Sequence, residues 1–584
     1  MRPAWWCDDY QMTIHNPQIA NLFNRYAVLL EIKGANPFRI RAYRNAARTI
    51  ENLPRDVAAM LGEGADLTEL PGIGDDLAHK IADIVATEQF GELEKLKHRL
   101  PVALADLTEV PGIGPKRVKT LFRLRKIKSL KELAAAARKG RLKGLPGFGP
   151  KIEANILKIA EQHLTSNRRY KLSDAQQIAN SLVAYLEGVP GVAKVTVAGS
   201  YRRRKETVGD LDILVTCAAS AAVVQKFVTF SEVQDILAKG STRASVKLKS
   251  GIQVDLRVVP ERSYGAALVY FTGSKAHNIA LRALGLKSHL KFNEYGVFRG
   301  KKWIAGRTEK EVYAQVGLAF IEPELREDQG EIDAAKTGRL PKLIGLADIK
   351  GDLHVHTAAS DGEASIEQMA DAAKALGYQY VAITDHSKHI GITHGLDVRR
   401  LAAQMRKVAT LNAKLHGIEI LKSVEVDILA DGSLALPDSI LEDLDLVVAA
   451  VHSKFDLDAQ AQTDRIIRAM DNPNVNIIAH PFGRLLEERE PCQLDIQRLM
   501  KAALERGCHL EVNGQPSRLD LSDVHCRMAK EIGLKLVIST DAHTPETLAY
   551  MRYGVDQARR GWLEASDVLN TRGLAELRRL LKRR

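Results

Sequence analysis

A chain of 584 residues exceeds what one hydrophobic core can hold, so roughly three or four domains are expected. Its 84 Lys+Arg against 72 Asp+Glu give a net charge of +12, which suits a phosphate-bearing partner but occurs in other basic enzymes too; the 45% hydrophobic content excludes a disordered chain. Cys7, Cys217, Cys492, Cys508 and Cys526 show no CxxC spacing, which speaks against a disulfide framework or thiolate zinc site, and no apolar run approaches the roughly 18 residues of a membrane span. The expectation is a cytoplasmic protein, monomeric, with no membrane partner and no signal peptide. The stretch 1–11 carries no interpretable pattern, and Met12 is an alternative start because an amphipathic helix opens there.

From about Thr13 to Leu172 the chain reads as helical, punctuated by three glycine hairpins: Leu70-Pro71-Gly72-Ile73-Gly74, Val110-Pro111-Gly112-Ile113-Gly114 and Leu145-Pro146-Gly147-Phe148-Gly149. Ile81, Leu121 and Ile156 sit at one common offset after the last glycine of each. Pro115 and Pro150 occupy first-turn positions, where a missing N–H costs nothing. Two glycines around one apolar residue permit a sharp turn with N–H groups facing outward beside a helix N-terminus, a site for one phosphate. One such hairpin is as well explained as a plain helix connector. Three with matching helical sequels predict sequence-independent DNA binding.

From about Val195 to Val259 short β-branched runs take over. In Gly209-Asp210-Leu211-Asp212-Ile213-Leu214-Val215 the strand period of two puts Asp210 and Asp212 on one face, and the alternation from Ile252 to Val258 puts Asp255 on the polar face of another strand. Either pair alone would read as surface acids on edge strands. Three converging carboxylates suit a pair of Mg²⁺ or Mn²⁺ ions for in-line transfer from a nucleoside triphosphate. Upstream, Gly199-Ser200-Tyr201-Arg202-Arg203 supplies a tight turn and cations for its oxygens.

These motifs, with Tyr270-Phe271-Thr272-Gly273-Ser274, resemble the nucleotidyltransferase palm and thumb of family X DNA polymerases, the group of DNA polymerase beta, over about Thr13 to Phe320. The resemblance implies that Ser200, Arg203 and Gly209 contact the incoming triphosphate, that Tyr270, Phe271, Gly273 and Asn278 line the sugar and base pocket, and that Arg282 reaches the template side. Gln253 stands where vertebrate relatives carry an arginine, and Lys275 where they carry an acid. The first helical unit resembles the family's lyase domain, in which a lysine forms a Schiff base with an abasic sugar; Lys80 is the matching amine, and Arg39 and Tyr43 also match. Asp76 replaces a lysine that the relatives place nearby, and simple DNA gripping is the alternative. Lyase chemistry would need a depressed lysine pKa.

Thumb-like helices extend to about Phe320, and Glu322–Leu346 reads as a linker because its acidic and polar residues lack a sustained period. Beyond Lys350 strand-like and helical runs alternate, the signature of an α/β barrel. His354, His356, Asp361, His386, Glu425, His452, His480, Asp541 and His543 recur at or near the ends of the apolar runs, where barrels carry their chemistry. A lone histidine is usually structural. Imidazole mixed with carboxylate in this number suits Zn²⁺, Mn²⁺ or Fe²⁺. The set is similar to the ligand pattern of PHP phosphoesterases, a family that includes histidinol phosphatases and polymerase-associated nucleases. That resemblance implies up to three ions and a bridging hydroxide in a distorted barrel.

The expected organisation is multidomain. Helical helix-hairpin-helix domains (12–97, lyase-like, and 98–172, fingers-like) precede an α+β nucleotidyltransferase palm (173–261) with thumb (262–321). A linker (322–346) and a C-terminal distorted (β/α)7 PHP barrel (347–584) follow. The expected activity is gap filling in DNA repair on gapped or nicked DNA with deoxynucleoside triphosphates, joined to a metal-dependent 3′-5′ exonuclease and AP endonuclease. A small-molecule phosphatase barrel and a non-catalytic DNA-binding scaffold are the alternatives.

Overall fold

The computed structural model describes residues 16–51, 57–62, 64–70, 72–87, 89–97, 100–101, 104–109, 113–142, 145–146, 169–388, 394–486 and 488–582. The chain separates into two compact units, Met1–Arg168 and Arg169–Arg584. Met12, Gly112, Gly147, Gly149, Pro150 and Ile156 lie outside the described residues.

In the first unit the helices Asn16–Lys33, Pro37–Glu51, Asp75–Thr87 and Pro115–Arg125 bury Phe23, Tyr43, Ile81, Ile84 and Leu121. Ile81 and Leu121 thus do face one core, as their common offset predicts. Gly72 adopts φ +79°, a region that side chains rarely enter, and Gly114 caps its helix directly before Pro115.

The second unit begins slightly earlier than the helical pattern suggests, because Tyr170–Lys171 pairs with Thr207–Val208 and helix Leu172–Glu187 joins the palm core. The palm sheet comprises β1 (Val192–Val197), β2 (Asp210–Cys217), β3 (Val233–Lys239), β4 (Arg243–Leu248) and β5 (Gln253–Val259) in the order β1-β2-β5-β4-β3. Its parallel β2–β5 pair sets Asp212 opposite Asp255.

Glu322–Leu346 is not a free linker. It folds as a short 3-10 turn, Pro323–Leu325, and a helix, Glu331–Thr337, packed on the thumb. Arg326 is fully buried, donating to the Ile321 carbonyl at 3.0 Å and to Glu309 at 2.7 Å, and Glu331 meets His277 at 2.6 Å. Polar residues here are satisfied inside the protein, so an apolar period is a poor guide.

The barrel strands β6 (Gly351–Val355), β7 (Tyr380–Ile383), β8 (Glu419–Asp427), β9 (Leu446–Ala450), β10 (Ile477–Ile478), β11 (His509–Asn513) and β12 (Leu536–Ser539) run parallel in sequence order. Backbone bonds from the segment after β12 back to His354 and His356 nearly close the ring. The barrel is joined to the rest of its unit by shared cores: Leu519 and Tyr553 pack into the palm core and Trp562 into the thumb core. Trp562→Ala is therefore expected to cost this unit about 3–5 kcal/mol of stability, read as a lower thermal midpoint. An unchanged midpoint would show that the shared core contributes little.

Candidate active sites

The palm site rests on strand register. Asp210 and Asp212 are two residues apart on β2, while Asp255 of β5 accepts hydrogen bonds from Ser245 and, at 2.9 Å, from Gln253. Gln253, standing where an arginine was expected from the resemblance, thus orients Asp255 without adding charge. Gly199 turns with φ +62°, and a Cβ there would run into the Asp212 carboxylate, so only glycine lets the turn approach. Burial, then the neighbouring Asp210 and Asp255, push the Asp212 carboxyl up to about 7 against the pull of Arg203 and Arg257. Burial and Asp255 raise Asp210 in the same direction. Clustered carboxylates with this mutual repulsion are a donor set for divalent cations.

A cleft of about 380 Å³ opens beside them, lined by Ser200, Arg203, Tyr270, Phe271, Gly273, Asn278 and Arg282 together with Asp210 and Asp212. Seven of the eight residues assigned by resemblance to nucleotide contacts thus share one cavity. Gly209 does not line it; a Cβ at that position would face Arg169. Thr272 and Lys275 also line the cleft. Asn278 donates to the Tyr270 carbonyl at 2.7 Å, and the Tyr270 and Phe271 rings meet edge to face with centroids 5.1 Å apart, which fixes this wall.

In the first unit Lys80 is enclosed by acceptors, with Asp76 at 2.5 Å, Glu92 at 3.2 Å and the Tyr43 ring beneath it. Burial opposes its charge, yet Asp76, Tyr43 and Glu92 outweigh it and raise the amine's pKa. Schiff-base chemistry requires the opposite shift. The protein is accordingly expected to yield little borohydride-trapped adduct with an incised abasic site at pH 7, and more after Asp76→Asn with Glu92→Gln. Strong trapping by the parent, lost in Lys80→Ala, would refute this. Gly74 and Gly114 have open space where a side chain would sit, but the helix after Gly74 begins with Asp75 and Asp76, whereas that after Gly114 begins with Pro115, Lys116 and Arg117. By charge, the helix start after Gly114 suits an anion better than the one after Gly74.

All nine expected ligands of the barrel converge. Ligand atoms fall into four overlapping groups: His356, Asp361, His386 and His543; His354, Glu425 and His480; His354, His356 and Asp541; His386, Glu425 and His452. Glu425 is central, 2.8 Å from His386, 3.1 Å from His480 and 3.2 Å from His452. Burial opposes its ionisation, but His386, His452 and His354 hold its carboxyl well below the usual range. Burial and the adjoining His386 push His356 down to about 3, whereas Glu425 and Asp361 overcome burial to lift His386 to about 11. Buried atoms of His354 (Nε2), His356 (both ring nitrogens), His386 (Nδ1) and Glu425 (Oε2) have no hydrogen-bond partner. Buried polar atoms left unpaired together at one centre fit cations as the missing partners.

Three residues unnoticed in the sequence support this centre. Glu511 binds His354 Nδ1 at 2.7 Å, Asp427 binds His452 Nδ1 at 2.9 Å, and Asn513 donates to Asp541 at 3.2 Å. Such partners fix ring orientation. The period-two pattern His509-Leu510-Glu511-Val512-Asn513 was the available signal for Glu511 and Asn513, the same one that exposes Asp210 and Asp212.

Among known protein families, residues 14–90 match a helix-hairpin-helix domain, 104–162 a SAM-like helix-hairpin-helix tandem, 171–257 a DNA polymerase beta palm, 267–327 a DNA polymerase beta thumb and 352–513 a PHP domain. The chain is 37% identical over 574 residues to the DNA polymerase/3′-5′ exonuclease PolX of Bacillus subtilis (strain 168), covering 98% of this chain and 100% of that protein. It is also 32% identical over 232 residues to a probable phosphatase of Thermoanaerobacter sp. (strain X514), covering 38% of this chain and 89% of that one. A probable phosphatase of Syntrophotalea carbinolica is 27% identical over 231 residues, covering 38% and 90%.

Proposed function

Because this chain belongs to the family of the DNA polymerase/3′-5′ exonuclease PolX, we propose that its palm fills short gaps in DNA and its barrel removes nucleotides from 3′ ends and acts at abasic sites. The observation that carries the reading is the register of Asp212 beside Asp255, with Asp210 adjoining, at a cleft lined by Ser200, Arg203 and Tyr270. Asp210, Asp212 and Asp255 would hold Mg²⁺ or Mn²⁺; the nine barrel residues would hold Mn²⁺, Zn²⁺ or Fe²⁺, up to three ions. When bound, such ions supply Lewis acidity toward the reacting hydroxyl and leaving phosphate in the palm, and an acidic water in the barrel.

The protein's own groups do the rest. Ser200 and Arg203 bind the triphosphate, Tyr270, Phe271, Gly273 and Asn278 hold sugar and base, and Arg282 meets the template side. The glycine hairpins grip the DNA backbone without reading sequence. The similarity to two probable phosphatases favours one second reading, a barrel acting on free phosphomonoesters.

The test incubates the purified protein with gapped, 3′-labelled DNA, with and without nucleotides, across Mg²⁺, Mn²⁺ and Zn²⁺. Nucleotide insertion in Mg²⁺ and label release in the absence of nucleotides are expected. Hydrolysis of free phosphomonoesters with 3′ ends left intact would favour the second reading, and no insertion under any metal would refute the first.

A further inference from the structure

The turn that carries Arg203 is held by the barrel. Arg203 ends the short helix Gly199–Arg202, and the next residue, Arg204, takes φ +56°, a conformation unfavourable for any residue but glycine. Helix Met551–Arg560 of the barrel contacts this turn repeatedly. Arg560 donates to the Arg203 carbonyl at 2.7 Å, Asp556 lies 3.7 Å from Arg204, and Gln557 donates to Glu206 at 3.5 Å. Barrel residue Arg484 adds a 2.7 Å contact to Glu206.

The side chain of Arg203 is fixed through the same contact. Its Nε lies 3.0 Å from Glu327, its Nη1 donates to the Thr272 carbonyl, and Glu327 in turn receives Arg560 at 3.1 Å. Arg560 is itself immobilised: its side chain is 3% exposed, and its other arm binds Asp523 of helix Asp523–Ile532 at 2.5 Å. A buried guanidinium with each arm engaged is a rigid strut. It reaches both the backbone and the ion-pair partner of a residue lining the palm cleft.

We propose that Arg560, a residue of the C-terminal barrel, is a positioning residue for the palm's nucleotide site, holding Arg203 in the geometry that receives the incoming triphosphate. This rests on the reading of the palm as a nucleotidyltransferase. Arg560 touches no substrate; it acts through the Arg203 carbonyl and Glu327, so its loss weakens triphosphate binding more than it slows transfer.

The full-length protein is tested for single-nucleotide insertion into gapped DNA in Mg²⁺ and, separately, for release of a 3′ label in Mn²⁺. For Arg560→Met the KM for the nucleotide is expected to rise by about tenfold to a hundredfold, with a smaller change in kcat and unchanged 3′-label release. Arg560→Lys, which keeps a donor to the carbonyl, should recover part of the KM. Should Arg560→Met not fold, Asp523→Asn decides, since it removes the charge that anchors Arg560 while keeping an oxygen for the Val524 N–H: a raised KM supports the proposal. An unchanged KM in the folded variant, with an active parent, overturns it and leaves the palm's assignment standing. A parent that inserts no nucleotide overturns both. Equal losses of insertion and label release would mark Arg560 as a general structural residue and also overturn it.

Discussion

Asp212→Ala is expected to lower nucleotide insertion by about 10²–10³-fold, the scale on which losing one preorganised electrostatic stabiliser slows an enzyme, while DNA binding and 3′-label release stay near the parent level. Asp212 shares β2 with Asp210 and lies opposite Asp255 in the sheet, and its carboxyl is pushed up to about 7 by burial and these neighbours. Removing it deprives cations of the ligand that the strand register centres. Asp210→Ala and Asp255→Ala should act in the same direction. The pH dependence follows from the same shift. A carboxyl raised in the folded state is protonated more readily there than in the unfolded chain, so it costs stability as pH rises from about 4 toward 7. Metal-free Asp212→Asn should therefore melt higher than the parent at pH 8 and alike below pH 4. Mg²⁺ must displace that proton, so its affinity in the parent should weaken as pH falls through 7. Polymerisation retained in all three alanine variants would remove the palm from the reaction, and no gain in melting temperature at pH 8 would contradict the electrostatic account.

The second large effect belongs to the barrel. His354→Ala with His356→Ala, or Asp541→Ala with His543→Ala, should abolish 3′-end processing and leave gap filling. Each pair draws on two or more of the overlapping ligand groups, so cations lose several bonds at once. The palm's three aspartates lie on β2 and β5 of a separate sheet and share no ligand with the barrel. Glu511→Gln is a finer test: Glu511 touches His354 at 2.7 Å from behind, and losing such an orienting partner costs about 10–100-fold in metal affinity or activity. The measurements are metal content, label release in Mn²⁺ and insertion in Mg²⁺ on variants whose folding has been checked. Metal-depleted, folded variants that still degrade 3′ ends at the parent rate would place the nuclease outside this centre.

Local pattern was enough to pick out the residues that the structure gathers into two clusters. Alternation along β2 and β5 put Asp210, Asp212 and Asp255 on polar faces, and ligands at or near the ends of apolar runs forecast one barrel mouth, because strand direction and side-chain alternation are properties of consecutive residues. The helical offset of Ile81 and Leu121 was legible for the same reason. What sequence could not give was anything set between distant segments. The Asp212–Asp255 register depends on which strands pair. The cage of Asp76, Tyr43 and Glu92 that keeps Lys80 charged draws on three helices. The packing of Glu322–Leu346 against the thumb depends on buried pairs such as Arg326 with Glu309. The hold of Arg560 on Arg203 spans 357 residues of chain. Hydrogen bonds and ion pairs between remote residues leave no periodic trace in a single sequence, since each partner alone looks like any surface charge; only the tertiary structure decides which charges become buried together.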